Sequence, residues 1–469
     1  MTSPKETRRA EGRGRPGRIP GEREGGRTQS RVALPSGLAR VNAAARGAVQ
    51  TRFTSLLHHV DVEALERAFW RQKRRASAGV DGITVDDYER DLENNLRDLC
   101  ARVHTGRYWP HPVRRVFIPK AAGGRRPLGV PTLEDKIVQG AVAEVLSAVY
   151  EADFLGFSYG FRPGRNPHQA LSSLHTAIMG QNVSWVLDAD IRSFFDSVDH
   201  EWLMRMVAHR IADPRVLRLI RLWLDAGVLE SGEWHETDKG TPQGAGISPL
   251  LANIFLHYAL DLWVHQWRGR HARGRVTIVR YADDFVMGFQ SVVDARRMML
   301  DLRKRLAGFG LQLHEEKTRL IEFGRFAVQT RKARGDQRPE TFAFLGFTHY
   351  CGWTRDGRFI VKRKTQSTRL RRKLTAIRQD MRRRMHQPLA LQYRWLASVL
   401  RGHYGYFGVP HNWRSLNAFR QDVRRIWFKS LRRRSQKNRR VDWDWFDDVT
   451  AHLTLPLPCI THPWTPRRL

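Results

Sequence analysis

The stretch VTIVRYADDFVMGF, residues 276–289, constrains this chain more than any other. Apolar, β-favouring runs flank a polar tip, Tyr281-Ala282-Asp283-Asp284, and the pattern predicts a tight β-hairpin. Two adjacent carboxylates at such a tip repel each other and are costly to desolvate. A solvated Asp-Asp turn is one way to carry them, and a pair of divalent cations is the other. A second acidic segment upstream, SWVLDADIRSFFDSVDH (residues 184–200), favours the cations. There Trp185, Leu187, Ala189 and Ile191 alternate with Val186, Asp188 and Asp190, which puts both carboxylates on one face of a strand. Phe194, Phe195 and Val198 then open a helix, with Asp196 and Asp199 in its first turn, where acids serve as caps and dipole partners. Asp196 and Asp199 are therefore read as structural and Asp190 as the metal-binding acid, while the spacing assigns Asp188 no role.

Charge says what such a site would face. The chain of 469 residues has room for two to four domains. It carries 81 Lys and Arg against 47 Asp and Glu, a formal net charge of +34, with an ordinary hydrophobic fraction of 41%. A globular chain with that excess repels itself unless it works against a polyanion. Nucleic acid is the favoured partner, and the excess of Arg over Lys suits bidentate phosphate contacts. Ribosomal and histone-like proteins share this signature, and anionic membrane is the weaker alternative. No apolar run approaches the roughly 18 residues of a spanning helix. Cys100, Cys351 and Cys459 lie too far apart for a CxxC pair and suggest neither a disulfide framework nor a zinc knuckle. A reducing, intracellular setting fits.

Along the chain, residues 1–40 are Arg, Gly, Glu and Pro with almost nothing apolar, and are expected to form a disordered arm, either tethering nucleic acid or solubilising the chain. Leu56, Leu57, Val60, Val62, Leu65 and Phe69 form an apolar helical stripe. VRRVFIPKAAGGRRPLGVPT, residues 113–132, reads as a basic hairpin carrying Lys120, Arg125 and Arg126, suited equally to a triphosphate or to RNA in general. Residues 137–149 are a core helix. In SYGFRPGRNPHQAL (residues 158–171), Arg162 and Arg165 beside Tyr159 and Phe161 suit stacking and phosphate contact, with core anchoring open for the aromatics. KGTPQGAGISPLLANIFLHYALDLWV (residues 239–264) places Gln243 in a glycine loop that allows close backbone approach to a ligand, ahead of a long apolar helix. LQLHEEKTRLIEF has period-two apolar positions around a turn containing Lys317, and FAFLGFTHY is a short hairpin. From Thr368, Leu370, Leu374, Ile377, Met381 and Met385 line one helical face, with Arg371, Arg372, Lys373, Arg378, Arg382 and Arg383 on the others. Helices over 391–407 and 413–431 complete a small bundle, followed by a basic run at 431–440 and an irregular tail.

The ordered set IPK, GGRRPLGVP, YGFRPGR, DADIRSFFDSVDH, GTPQGAGISPLLANIFLH, RYADDF, LHEEKTRL and FLGF resembles the group II intron-encoded reverse transcriptase/maturase family over roughly residues 78–440. The resemblance implies an α+β, right-hand polymerase with a helical-bundle thumb/maturase domain. Fingers would span 41–175, palm 176–352, thumb 353–435, and a short basic segment 436–469. It further implies two Mg²⁺ ions, with Mn²⁺ as a substitute, held by Asp190 and Asp283 with Asp284 in support. Lys120 and Arg126 would meet the triphosphate and Phe195 would crowd a ribose 2′-hydroxyl. Gln243 would line the template side of the nucleotide pocket, and Lys317 would donate a proton to pyrophosphate. Arg162, Arg165, Arg371, Arg372, Arg378 and Arg382 would contact nucleic acid. The partners are then RNA template and intron RNA, DNA primer or target, and dNTPs, with no membrane, and with monomer and dimer both open. Many family members end in an HNH nuclease with paired cysteines. The tail after Arg440 has only Cys459, so no second-strand cleavage is expected and any mobility would use a host primer. Competing readings are an RNA-binding splicing cofactor with a vestigial polymerase site, a retron or defence reverse transcriptase, and a basic structural RNA-binding protein. The GTPQG loop disfavours the diversity-generating relatives.

Overall fold

Among the described residues the strands form three separate sheets. The structure, a computed structural model, describes residues 35–119, 124–230, 233–235, 246–336, 338–436 and 440–463. In chain order its strands are β1 (Val113–Pro119), β2 (Arg125–Val130), β3 (Trp185–Asp190), β4 (Val228–Glu230), β5 (Glu233–His235), β6 (Val276–Tyr281), β7 (Asp284–Phe289), β8 (Arg319–Glu322), β9 (Phe342–Phe344), β10 (Phe347–Trp353) and β11 (Phe359–Thr365). The sheets run β2-β1-β4-β5, β6-β7-β3-β8 and β11-β10-β9. The fold is the expected α+β arrangement of antiparallel palm-like sheet, flanking helices and C-terminal helical bundle.

In the β6-β7-β3-β8 sheet every neighbouring pair is antiparallel. One face presents Leu187, Ala189, Ile278, Phe285, Met287 and Phe289 to the largest core, shared with helices Leu133–Tyr150, Ser248–Leu256 and Val292–Ala307. The other presents Val186, Val279 and Val286 to a second core built with helix Pro167–Gly180 and β9–β11. On that second face the apolar cover gives out along β3, where Val186 is succeeded by Asp188 and Asp190. Period-two patterning thus leaves an acidic patch at one end of an otherwise buried surface.

Helix Val62–Trp70 is capped by Asp61, which accepts from the Ala64 amide at 2.7 Å. Residues 36–40, expected as part of the arm, are helical. A helix over Ser36–Gly47 buries Leu38 and Ala45, and its Asn42 Nδ2 donates to the Ala148 carbonyl at 2.7 Å. Residues 1–34 lie outside the described residues. The bundle helices are Ser367–Arg383, Leu389–Phe407 and Trp413–Arg432, within two residues of expectation. Leu374, Ile377 and Met381 face a third core.

The segment expected to pack irregularly begins with a helix, Trp443–Val449, capped by Asp442. Beyond this helix the chain runs back along the bundle. The Pro456 carbonyl accepts from Tyr404 Oη at 3.2 Å, and the Gly408 carbonyl accepts from the amides of Thr461 and His462, each at 2.9 Å. The His462 ring stacks on His168 of helix Pro167–Gly180 at 3.5 Å, tying the tail to the helix that packs on the β6-β7-β3-β8 sheet. All three cysteines are free thiols. Among the described residues no helix is long and apolar enough to cross a membrane.

Candidate active site

The register of β3 against β7 sets Asp190 directly opposite Asp284, and Asp284 opposite Tyr281 on β6. Directly opposed residues project to the same face with Cβ atoms about 4.5–5.5 Å apart. Asp188, two positions before Asp190, shares that face. The hairpin closes through Ala282 and Asp283 alone, with φ of +57° at Ala282 and no positive φ at Asp283, the pattern of a II′ turn. Alanine is strained in that region. The turn also lies against Gly160, where a Cβ would stand 2.2 Å from the Ala282 nitrogen. Only glycine fits there, so the YGFRPGR loop forms a backstop for the acidic tip.

The electrostatics are those of crowded acids. Loss of hydration, then Asp283, Asp188 and Asp190, push the Asp284 carboxyl up to about 7. Its side chain remains exposed, so carboxylate repulsion is the surer of these causes. Burial pushes Asp188 up to about 6, offset by Arg319, whose Nη2 lies 3.7 Å from Asp188 Oδ2, and reinforced by Asp190. Lys317 meets Asp190 from the side, its ammonium 2.7 Å from Oδ2. The chain geometry delivers it there. The His314 amide donates to the Asp190 carbonyl at 2.8 Å, and the Thr318 amide closes the same turn on the His314 carbonyl at 2.9 Å.

The donor set is all carboxylate oxygen, which suits a hard divalent ion such as Mg²⁺ or Mn²⁺, and the Lys317 ammonium marks where a cation is accepted. Among the described residues no three acid, His or Cys side chains already enclose a common point. Asp188, Asp190 and Asp284 lie along one face, and Asp283 adjoins them at the turn. Asp190, Asp283 and Asp284 are carboxylates that could hold such an ion.

Other expected residues divide by what their side chains do. Phe195 is half-buried just past β3, edge-on to the buried Phe194 at 5.3 Å. Asp199 is a helix cap, accepting from the Trp202 amide at 2.9 Å. Arg371, Arg372, Arg378 and Arg382 are exposed on the bundle helix. Arg162 corrects the sequence expectation. It is 3% exposed, and its guanidinium is bonded to Glu151 and to the carbonyls of Leu155 and Ser158. A side chain so enclosed braces its own loop and cannot reach a phosphate. Arg165 is half-buried, donating to the Gly156 carbonyl at 2.7 Å, with its guanidinium over the Tyr159 ring. Phe161 is instead the exposed aromatic of this loop, in a left-handed conformation with its ring 6.3 Å from that of Tyr281. Lys120 and Gln243 lie outside the described residues, and Arg126 is placed by its backbone alone, opposite Ile118 in β1.

Asp188 is the site residue that sequence reasoning left without a role. Its signal was the alternation that also selected Asp190.

The family profile described as reverse transcriptase (RNA-dependent DNA polymerase) matches residues 118–349, from β1 into β10. Protein YkfC of Escherichia coli K12 is 34% identical over 300 residues, covering 55% of this chain and 78% of that protein. The group II intron-encoded protein LtrA of Lactococcus lactis is 39% identical over 197 residues, 42% of this chain and 32% of LtrA. A 91 kDa protein in the cob intron of Schizosaccharomyces pombe is 41% identical over 176 residues, 36% of this chain and 21% of that protein. The chain thus spans most of the first relative and a third or less of the other two. With acidic strands opposed in one sheet and relatives of this extent, the chain belongs to the group II intron-encoded reverse transcriptase/maturase family, whose enzymes are RNA-directed DNA polymerases.

Proposed function

We propose that this chain extends a DNA primer on an RNA template by nucleotidyl transfer with two divalent metal ions at the β3–β7 acidic patch, and that it also binds its intron RNA to assist splicing. The observation that carries the reading is the pairing of Asp190 with Asp284, one residue from the strained turn that presents Asp283. Clustered acids facing a polyanion are repulsive, and a protein built only to bind RNA gains nothing from them. Divalent ions bound there would supply Lewis-acid activation of the primer 3′-hydroxyl and charge neutralisation at the leaving pyrophosphate. Asp190, Asp283 and Asp284 hold and orient; Phe195 limits space at the sugar 2′ position. Lys120, Arg126 and Gln243 bind the nucleotide. Lys317, already on Asp190, carries a proton within reach of the leaving group.

Exposed arginines of the helix Ser367–Arg383 lie along the duplex and the intron RNA. The enzyme acts inside the cell, on nucleic acid.

Primer extension on poly(rA)/oligo(dT) with Mg²⁺ tests this. Asp283→Ala is expected to abolish synthesis while RNA affinity stays level or rises slightly. Wild-type protein that binds RNA but extends no primer would support the competing reading, a splicing cofactor.

A further inference from the structure

A buried polar network holds the acidic turn from beneath, and no step of the chemistry above uses it. The helix that starts at Ser248 is interrupted over His257–Asp261 by a π-helical turn, then resumes as Leu262–Arg270. Such insertions shift the register of the side chains beyond them and recur at functional sites. Asp261, the last residue of this one, meets Arg280 of β6, and neither side chain has any exposed surface. Arg280 Nε donates to Asp261 Oδ1 at 2.8 Å and Nη2 donates to Oδ2 at 2.5 Å. Nη1 donates to Asn253 Oδ1 and to the carbonyl of Ala282, both at 2.9 Å. Asn253 Nδ2 in turn donates to the Gly160 carbonyl at 2.7 Å.

Both sides of the tight Gly160–Ala282 contact are therefore bonded to one cluster. Arg280 pairs with Phe285 and lies on the helix-packed face of β6, the opposite side from Tyr281 and Asp284, so it touches neither ion nor substrate. A buried ion pair of this kind is a weak source of stability, because two well-packed apolar side chains often serve as well. What apolar side chains cannot supply is a donor aimed at a particular carbonyl. We infer that Asn253, Asp261 and Arg280 are positioning residues of the polymerase, fixing the Ala282 carbonyl against the backstop of Gly160 and thereby the direction of the Asp283 carboxylate. The inference rests on the polymerase reading above, since a vestigial site would have no use for a fixed Asp283.

The test separates positioning from stability. Asp261→Asn leaves Arg280 with an uncompensated charge and is expected to lower both Tm and kcat. The double variant Arg280→Met/Asp261→Leu replaces the pair by apolar side chains and is expected to regain wild-type Tm. Its kcat on poly(rA)/oligo(dT) is expected to remain down about 100-fold, with KM for dTTP changed little and Mn²⁺ affinity, read by electron paramagnetic resonance, weakened. Asn253→Asp, which keeps the acceptor for Arg280 and removes the donor to Gly160, is expected to lower kcat without unfolding the chain. Recovery of kcat and Mn²⁺ affinity together with Tm in the double variant would overturn the inference, as would an unchanged kcat in Asn253→Asp. Were wild-type protein inactive on primers, the polymerase reading would fail, while the Mn²⁺ titration would still report whether the network orients Asp283.

Discussion

At the scale of single residues, position in the sequence says less than neighbourhood. Asp188, Asp190, Asp283 and Asp284 are ordinary carboxylates made unusual by one another. The values of about 6 for Asp188 and about 7 for Asp284 lie above the usual 3.8, so the folded chain holds these protons more tightly than the unfolded one. Their contribution to stability is present below about pH 4 and is lost as pH rises through 6 to 7. A divalent ion opposes the same protons. The acid limb of kcat/KM is therefore expected near pH 6–7 at low Mg²⁺ and at lower pH when Mg²⁺ is raised, measured as pH–rate profiles at two metal concentrations. A limb unmoved by metal would place the titrating group elsewhere. The facing of Asp190 and Asp284 was legible in the sequence because the alternation along β3 and the two-residue tip both point at that end of the sheet. Arg162 was not, because a basic Gly/Pro loop looks alike whether its arginines face phosphate or an internal acid. Its partner Glu151 sits just past an apolar helix, a faint signal without coordinates. Asn253 and Asp261 left a clearer one, as polar residues inside the apolar run LLANIFLHYALDLWV, where each needs a buried partner.

At the scale of elements, the hairpin depends on a loop far from it in sequence. Gly160→Ala would drive a Cβ into the Ala282 nitrogen, and backbone cannot yield as a flexible side chain can. The substitution is expected to leave secondary structure intact by circular dichroism and to lower kcat by about 10²-fold through displacement of Asp283, an effect a surface loop would not show. Strand and helix identities were largely readable: β3 follows period two, β6 and β7 are apolar runs either side of a polar tip, and the three bundle helices follow period 3.6. Pairing was less so. That β3 lies between β7 and β8, or that β1 runs parallel to β4, depends on contacts between distant segments that no local pattern encodes. The helix Ser36–Gly47 was hidden for another reason. It is short and buries only Leu38 and Ala45, too few apolar positions to stand out from the polar sequence before it.

At the scale of the whole molecule, charge and core divide the labour. Among the described residues, three apolar clusters lie on one face of the β6-β7-β3-β8 sheet, on its other face, and in the helical bundle, and the returning tail stacks His462 on His168. Among the described residues, positive charge is presented outward on the helix Ser367–Arg383, where Arg371, Arg372, Arg378 and Arg382 are exposed. If these meet phosphates, affinity for primer–template falls steeply with salt. Arg378→Gln/Arg382→Gln is expected to shrink the log–log salt slope by about 0.7–0.9 for each phosphate left without its arginine, evenly across sequences. An unchanged slope would move the nucleic-acid track to another face. The central claim, that distant acids converge on a cation beside the growing strand, has a direct test in anomalous diffraction from crystals of the protein with Mn²⁺, primer–template and a chain-terminating nucleotide. Anomalous density is expected between Asp190 and the Asp283–Asp284 tip. Density at another place, or none at these carboxylates with nucleotide bound, would contradict the claim.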